Sequence, residues 1–580
     1  MNLHTNLITT YRARLSPNYW DILALFMVLS IIVLFAWNAK QMATPYQLGQ
    51  TIPISLKASY LPLYASRTVV RMLIALLFSL LFTFVFGTWA AKNQRAGRII
   101  IPVIDVLQSV PILGYLSLVI PAFIALFPGS LLGPECAAVF VIFTSQAWNM
   151  AFGFYQTVRT VPAEVREASR MFHLSAWQHF WRIDVPFSMP GLLWNTMASM
   201  SAGWFFVVAS EAIITANQEI LLPGIGSYIF VAIRAANLEA ITFAVIAMFI
   251  VILIYDQLLF RPLVAWSEKF KAEHEGAGID KVTAESWVID FFRRTRTFRY
   301  IGTQLALLFE MFVNIRILRL PKTPQFQEEK QPDWVFNIFW NAVVFCMGGI
   351  ALWIIVNFLR HQIQLYDVYE VLYLGIITAF RVLILIFLCS LIWVPIGVWI
   401  GRRPHAARIA QPIAQILAAF PANLFYPFIV MLIVTYHLNP NIWLTPLMIL
   451  GSQWYILFNV IAGASSLPKD LIQVIDNLSV SGWLRWQKLL LPGIFPYYIT
   501  GAITAAGGAW NASIVAEVAS WGDTKLEADG LGAYITNYTT LGNFSHIALG
   551  IGMMCLLVLI FNRLIWRPLY LYAENRFSLE

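Results

Sequence analysis

The chain is poor in charge: only 12% of its 580 residues are Asp, Glu, Lys or Arg, about half the ~25% of an ordinary soluble domain. That excludes a water-soluble globular protein. Cysteine is scarce as well, with Cys136, Cys346, Cys389 and Cys555 alone, no C-x-x-C spacing and no adjoining histidine cluster, so neither a disulfide framework nor a zinc site is expected. There is no G-x-x-x-x-G-K-[ST] loop to wrap phosphates in backbone amides, and no grouping of acids and histidines that would serve a membrane enzyme. What the chain has is apolar length. Hydrophobic residues make up 59%, and a dozen membrane spans at roughly 20 residues each would use about 240. The net charge of +8 then reflects basic cytoplasmic loops rather than nucleic-acid binding.

Apolar runs predict spans near 20–37, 64–91, 100–127, 134–156, 187–214 and 238–260, then 334–357, 369–400, 406–435, 442–463, 493–519 and 543–566. Arg12 and Arg14 precede the first run as in a signal peptide, but Asn38, Lys40 and Gln41 make a poor small-residue cleavage site. It is expected to be a retained span. Lys92, Arg95 and Arg98 crowd one short loop, and Arg402, Arg403 and Arg408 crowd its counterpart, which places both loops in the cytoplasm. An even number of spans then puts both termini and the 261–333 connection on that side, against the weaker outer-side signal of Lys40, Lys57 and Arg360.

A fixed offset relates the two halves. Adding 306 carries Pro162, Trp177, Pro186, Trp204 and Glu211 to Pro468, Trp483, Pro492, Trp510 and Glu517 without a gap. It also carries Gly224, Gly226 and Tyr228 to Gly530, Gly532 and Tyr534. Earlier in each half the offset is 310, matching Arg71 to Arg381, Gly87 to Gly397 and Pro111 to Pro421. Equivalent points lie six spans apart, so the copies share one orientation and a pseudo-two-fold axis runs along the membrane normal. The expected fold is an all-α polytopic membrane protein: a first six-span repeat over 1–260, a cytoplasmic linker over 261–333 and a second repeat over 334–580.

Between the fourth and fifth spans, Pro162-Ala-Glu-Val-Arg-Glu-Ala-Ser predicts a short cytoplasmic helix. Proline suits a first helical position, and Glu164 and Glu167 suit the positive end of the helix dipole. The copy begins at Pro468 with Asp470 in its first turn. These residues resemble the permease signature of type I ATP-binding-cassette importers, E-A-A, three residues, G, nine residues, I-x-L-P. Glu167, Ala168, Ile183 and Pro186 fit it, whereas Ser169 and His173 replace the second Ala and the Gly. In the copy, Gln473 and Ser479 stand at the Glu and Gly positions, and Leu489, Leu491 and Pro492 mark the end. The stretches ending in Glu211 and Glu517, each followed by G-x-G-x-Y, are similar to the nitrate, sulfonate and bicarbonate branch of that family.

The resemblance implies a duplicated permease whose two domains, usually separate subunits, share one chain in a bacterial plasma membrane. It implies two cytoplasmic ATPase partners that receive the 162–186 and 468–492 loops, with Glu164, Glu167, Ala168, Ser169, His173, Trp177 and Pro186, then Asp470, Gln473, Ser479, Trp483 and Pro492, as coupling residues. ATP and Mg would sit on those partners, with no cofactor on this chain, and an extracytoplasmic binding protein would deliver substrate. A small oxyanion is the expected cargo.

Pathway candidates follow from depth. A helix rises about 1.5 Å per residue, so a fifth span starting at Phe187 reaches the midplane near 197–199 and its copy near 503–505. Small residues dominate both stretches, which suits either close helix approach or a narrow conduit. Asn195, Ser199, Thr500 and Thr504 are the polar lining candidates, with Trp204 and Trp510 one or two turns beyond. Glu211 and Glu517, some 36 Å along the helix, are read as outer-gate or binding-protein contacts, or as residues of interfacial solvation or helix packing. Arg71 and Arg381 offer either an anion site or a snorkelled or paired cation, with Glu370 a partner for the second. Within the connection, apolar 305–317 beside Arg293, Arg294, Arg296 and Arg299 predicts an interfacial amphipathic helix. The rival reading is an ion-coupled secondary transporter. It needs a midplane ion site, and the absence of a carboxylate at that depth disfavours proton coupling but leaves sodium open.

Overall fold

The computed structural model describes residues 18–267 apart from 48, 51, 216 and 217, then 286–315 and 363–577, with isolated positions between 338 and 357. The predicted seventh span, 334–357, falls almost wholly outside the described residues, as do 268–285 and 316–333 of the linker.

The first repeat opens with α1 (Tyr19–Met42) and α2 (Ala58–Lys92). It continues through α3 (Gln94–Ser109), α4 (Ile112–Leu126), α5 (Leu132–Arg159) and a short α6 (Ala163–Met171). The fifth span is α7 (Ala176–Glu211), followed by a hairpin of β1 (Ala212–Thr215) and β2 (Gln218–Leu221), then α8 (Ile225–Arg234) and α9 (Leu238–Ser267). The linker supplies α10 (Trp287–Arg294) and α11 (Arg296–Asn314). The second repeat runs α12 (Leu365–Gly401), α13 (Pro404–Ala419), α14 (Tyr426–Thr435), α15 (Pro440–Met448), α16 (Gln453–Ser465), α17 (Lys469–Asn477) and α18 (Gly482–Ala516). It ends with the hairpin β3 (Val518–Trp521) and β4 (Thr524–Glu527), then α19 (Leu531–Leu541) and α20 (Phe544–Ala573).

Both hairpins are antiparallel and in register at the offset of 306: Ala212 pairs with Leu221 and Val518 with Glu527. The repeat extends to helix defects. Wide π-helical turns occur at Phe180–Asp184 and Trp486–Leu490, and again at Asp256–Phe260 and Asn562–Trp566.

Two expected spans prove to be broken. Predicted 100–127 divides into α3 and α4, and predicted 406–435 into α13 and α14, the latter pair bent by 70°. The cause is Pro111 and its equivalent Pro421. Proline drives the residue before it out of the helical region, and Val110 and Phe420 have ψ of 129° and 127°. The predicted span 442–463 is also bent, by 44° between α15 and α16. Among the described residues the chain therefore has eight continuous helices long and apolar enough to cross a membrane, or ten if α13 with α14 and α15 with α16 each count as one span.

The broken spans form the seam between the halves. α13 packs on α7 of the first repeat, while α3 and α4 pack on α20 of the second. Breaking a helix frees backbone groups that need partners. The Ile112 N–H donates to Asn511 Oδ1 of the other half at 2.7 Å, and Asn423 Nδ2 donates to the Phe205 carbonyl at 3.4 Å across the equivalent junction. The hairpins also cross the seam: β1 packs on α19 and β3 on α8, with the Gly522 N–H donating to the Ile233 carbonyl at 3.0 Å.

Candidate translocation pathway and coupling segments

A cavity of about 180 Å³ lies on the pseudo-two-fold axis, walled by both halves. Its lining repeats in register. Gln108 and Ile112 answer to Ala418 and Ala422 at the offset of 310. Ser145, Asn149, Ser201, Ala202, Phe205 and Phe206 answer to Gly451, Tyr455, Gly507, Gly508, Asn511 and Ala512 at 306. The copies have exchanged chemistry, since Asn149 faces a tyrosine counterpart and Phe205 an asparagine one. No charged side chain belongs to the lining, which is aromatic and amide-bearing.

Of the predicted lining residues, Thr504 borders this cavity. Ser199 stands behind it, accepting from Asn149 Nδ2 at 3.0 Å. Asn195 turns back to the Gly191 carbonyl and Thr500 to the Pro496 carbonyl, and neither borders the cavity. Trp204 and Trp510 are buried core: Trp204 packs edge-on against Tyr255, and Trp510 against the equivalent Phe561, at 5.4 and 6.1 Å. They bind the fifth span of each half to the sixth, so the pathway reading does not hold for them.

Nor does it hold for the arginines and glutamates. Arg71 is fully buried, with Nε 2.6 Å from Glu135 Oε2 and Nη1 2.7 Å from Glu211 Oε1. Its Nη2 donates to Glu135 Oε1 at 2.7 Å and to the Pro223 carbonyl at 3.0 Å. Glu211 also accepts from Thr68 Oγ1 at 2.7 Å and from the Gly226 N–H, in the first turn of α8, at 2.6 Å. A carboxylate at a helix N-terminus meets unpaired amides and a favourable dipole. This clasp joins the ends of α2, α5, α7 and α8, and none of its residues lines the cavity.

The second copy has the same plan with two substitutions, Asn441 for Glu135 and Asp529 for Pro223. Glu517 accepts from Thr378 Oγ1 at 2.9 Å and from the Gly532 and Ala533 amides at 2.7 and 3.1 Å. Arg381 approaches Glu517 at 3.3 Å, and the partner suggested by sequence, Glu370, is not the one the fold supplies. Asn441, at the position of Glu135, accepts from Arg381 Nη2 at 3.0 Å and donates to Asp529 at 2.8 Å. Glu135 and Asn441 escaped the sequence reading, although their shared register was a signal. The G-x-G-x-Y motif follows from the clasp. A Cβ on Gly224 would lie 2.2 Å from the Glu211 carboxyl carbon and one on Gly226 2.1 Å from the Val208 carbonyl oxygen, with the same crowding at Gly530 and Gly532.

At the opposite end, Lys92 pairs with buried Asp184 at 2.5 Å, which puts the first basic loop and the 162–186 loop on one side. There α6 and α17 are both nine residues long, each capped by a proline, so Pro162 and Pro468 stand one position before the expected first helical turn. Glu164, Glu167, Asp470 and Gln473 are exposed, Ala168 is half-buried and Ser169 is buried, its hydroxyl donating to the Arg166 carbonyl. Both helices end in the same left-handed turn. His173 and Ser479 have φ of 50° and 53°. The following amides, of Leu174 and Val480, donate to the carbonyls of Ser169 and Ile475, a Schellman closure. The two non-glycine residues thus keep the backbone shape that the signature glycine would adopt. Pro186 and Pro492 lie in the first turn beyond the wide π turns. Trp177 and Trp483 differ: Trp177 packs on Phe312 of the linker at 5.1 Å, whereas Trp483 is 67% exposed.

A family described as "Binding-protein-dependent transport system inner membrane component" matches residues 83–261 and again 393–567. The nitrate import permease protein NrtB of Synechocystis sp. is 24% identical over 238 residues, covering 39% of this chain and 81% of that protein. The bicarbonate transport system permease protein CmpB of the same organism is 28% identical over 151 residues, 26% of this chain and 52% of its own length. The glycine betaine/proline betaine permease protein ProW of Escherichia coli is 26% identical over 178 residues, 30% of this chain and 49% of its own. The chain, matched over more than half its length, therefore belongs to the family of binding-protein-dependent transport system inner membrane components and carries the family's domain twice.

Proposed function

We propose that this chain is the complete membrane-spanning pathway of an ATP-binding-cassette importer, with both permease halves in one polypeptide and both termini in the cytoplasm of a bacterial inner membrane. The observation that carries this reading is the pair α6 and α17. Two helices of equal length, alike in their proline caps and left-handed ends, stand in matching register on the side of the basic loops. Two cytoplasmic ATPase subunits would seat them and hold the nucleotide and Mg, for which this chain has no phosphate loop. Movement of the two seats would tilt α7 and α18 through the wide turns at 180–184 and 486–490 and exchange access to the axial cavity. Contact energy that differs between the two states drives such an exchange; binding alone does not.

The cargo reading is a small anion of the nitrate or bicarbonate type, after the names of two relatives. With Arg71 and Arg381 sequestered, the cavity would hold it by amide and hydroxyl donors, and weakly. Weak holding suits a passage whose selectivity rests on a delivering binding protein. A second reading rests on the aromatic lining, where Trp148, Phe205, Phe420, Tyr426 and Tyr455 border the cavity. Ring faces attract organic cations, and a betaine permease is among the relatives. Both are tested by co-purifying the chain with its ATPase and binding protein and measuring ATP-dependent uptake into proteoliposomes of nitrate, bicarbonate, an alkylsulfonate and glycine betaine. Uptake that proceeds without ATPase, on an ion gradient alone, would overturn the importer reading.

A further inference from the structure

We infer that α11, the linker helix Arg296–Asn314, is an anchor for the anionic cytoplasmic surface of the membrane and couples that surface to the first coupling segment alone. The regulatory half of this statement rests on the importer reading above; the anchoring half does not.

The helix is tied at both ends to the cytoplasmic ends of spans. At its start the Thr297 N–H donates to Asp21 Oδ1 at 2.9 Å, at the first turn of α1, where Asp21 is 4% exposed. At its end Arg182 Nη2 donates to Asn314 Oδ1 at 2.8 Å, and Trp177 Nε1 donates to the Phe312 carbonyl at 3.1 Å. The Trp181 ring meets Phe309 and Phe312 edge-on at 5.4 and 6.0 Å. A helix of 19 residues is about 28 Å long. With its two ends tied to the starts of α1 and α7, it runs from one span to the other across the cytoplasmic face.

Its surface fits that position. Ile301, Leu305, Leu308, Phe309 and Phe312 recur at the spacing of one helix face. The last two meet the rings of the Trp177–Trp181 segment, and Leu305 and Leu308 are 59% and 60% exposed. Arg293, Arg294 and Arg299 cluster at the end nearest α1 and are exposed, with Arg294 stacked over Trp20 at 5.7 Å. Across 286–315 there are four arginines against Asp290 and Glu310. An exposed apolar face beside a cationic end, tied to the starts of two spans, matches an anionic lipid surface. A soluble protein partner would not need the helix tied to two spans at once. The contact is one-sided: Trp177 and Trp181 belong to the first coupling segment, and Trp483, the copy of Trp177, is 67% exposed.

The test uses the full chain in nanodiscs of phosphatidylcholine alone or with 30% phosphatidylglycerol, with its four cysteines replaced by alanine and a bimane fluorophore on L305C or, as the polar-face control, T303C. Spin-labelled lipid is expected to quench at 305 several-fold more than at 303. Anionic lipid should raise that ratio, and R293Q/R294Q/R299Q should abolish the rise. Equal quenching at both positions in every composition, or protection of 305 that appears only when the ATPase is added, would overturn the anchor. For the coupling, uptake by the assembled importer is measured in proteoliposomes of the same two compositions. A change of at least threefold between lipids that F312A abolishes, with its rate in neutral lipid kept, is the expected result. A lipid response that survives F312A would overturn the coupling, whereas absence of ATP-dependent uptake in every liposome would count against the importer reading and leave the quenching result standing.

Discussion

His173 and Ser479 show how much a single backbone angle constrains. At φ near +50° a residue with a Cβ pays about 1–2 kcal/mol, partly offset because glycine costs roughly 0.5–1 kcal/mol more conformational entropy on folding. H173G is therefore expected to be neutral or slightly stabilising, while the β-branched H173V should lose about 1 kcal/mol or more, read as melting temperature in detergent. Equal melting of the two variants would remove the argument. The outer clasp makes a sharper residue-scale prediction. Removing Arg71 strands two buried carboxylates, Glu135 and Glu211, and breaking a buried pair costs about 3–5 kcal/mol. Removing Arg381 strands Glu517 alone, which keeps its Thr378, Gly532 and Ala533 bonds. R71Q should thus melt well below R381Q, and the reverse order would show that the first clasp is not the stronger. These pairings were hidden from sequence for a definite reason. Rise per residue puts Glu211 and Arg71, 140 positions earlier, at the same end of their spans, but not in contact, and it does not show that α8 closes on Glu211.

Among the elements, the broken third span carries the most information. Its proline was visible in both copies and marked the repeat, yet the apolar run on either side read as one helix, because hydropathy does not register a change of direction. The break matters through what it exposes. The Ile112 amide is capped by Asn511 of the opposite half at 2.7 Å, so a local consequence of Pro111 is satisfied only by tertiary structure. N511L would leave that amide without its acceptor beside the cavity, a cost of about 1–3 kcal/mol, whereas N511D keeps an acceptor and should hold most of the stability. Similar melting of N511L and N511D would indicate that the amide finds another partner. The short helices α6 and α17 were legible for the opposite reason. Capping prolines and first-turn acids act within a few residues, and local chemistry survives in a single sequence. The cavity lining lies between these extremes: depth arithmetic found Thr504, while Asn149, Phe205, Tyr455 and Asn511 needed the neighbouring helices to be in place.

For the molecule as a whole, duplication followed by divergence has left a symmetric frame with unequal contents. The frame is held, at the end away from α6 and α17, by hairpins that reach across the axis, β1 to α19 and β3 to α8. Alternating access requires those bridges to part when that end opens. One bridge can be locked. A Cβ on Gly522 would lie 3.7 Å from the Ala236 Cβ, inside the 3.5–4.5 Å range of disulfides; at φ of 56° the side chain introduced by G522C costs about 1–2 kcal/mol, a strain Ala236 already carries at 49°. In a cysteine-free chain, A236C/G522C is expected to crosslink the two halves on mild oxidation, detected by electrophoresis after proteolytic cleavage engineered into 268–285. The crosslinked protein should lose ATP-dependent uptake by at least tenfold and regain it on reduction, while A236C and G522C alone stay near the unmodified rate. Two outcomes separate the possibilities. A crosslinked chain that still transports would show that the outer ends need not separate at this point, and the hairpins would then be a fixed lid with the route lying elsewhere along the seam. A chain blocked only in the oxidised double variant would mean that the hydrogen bond from Gly522 to Ile233 breaks once in every transport cycle, making the outer hairpins moving parts of the pathway.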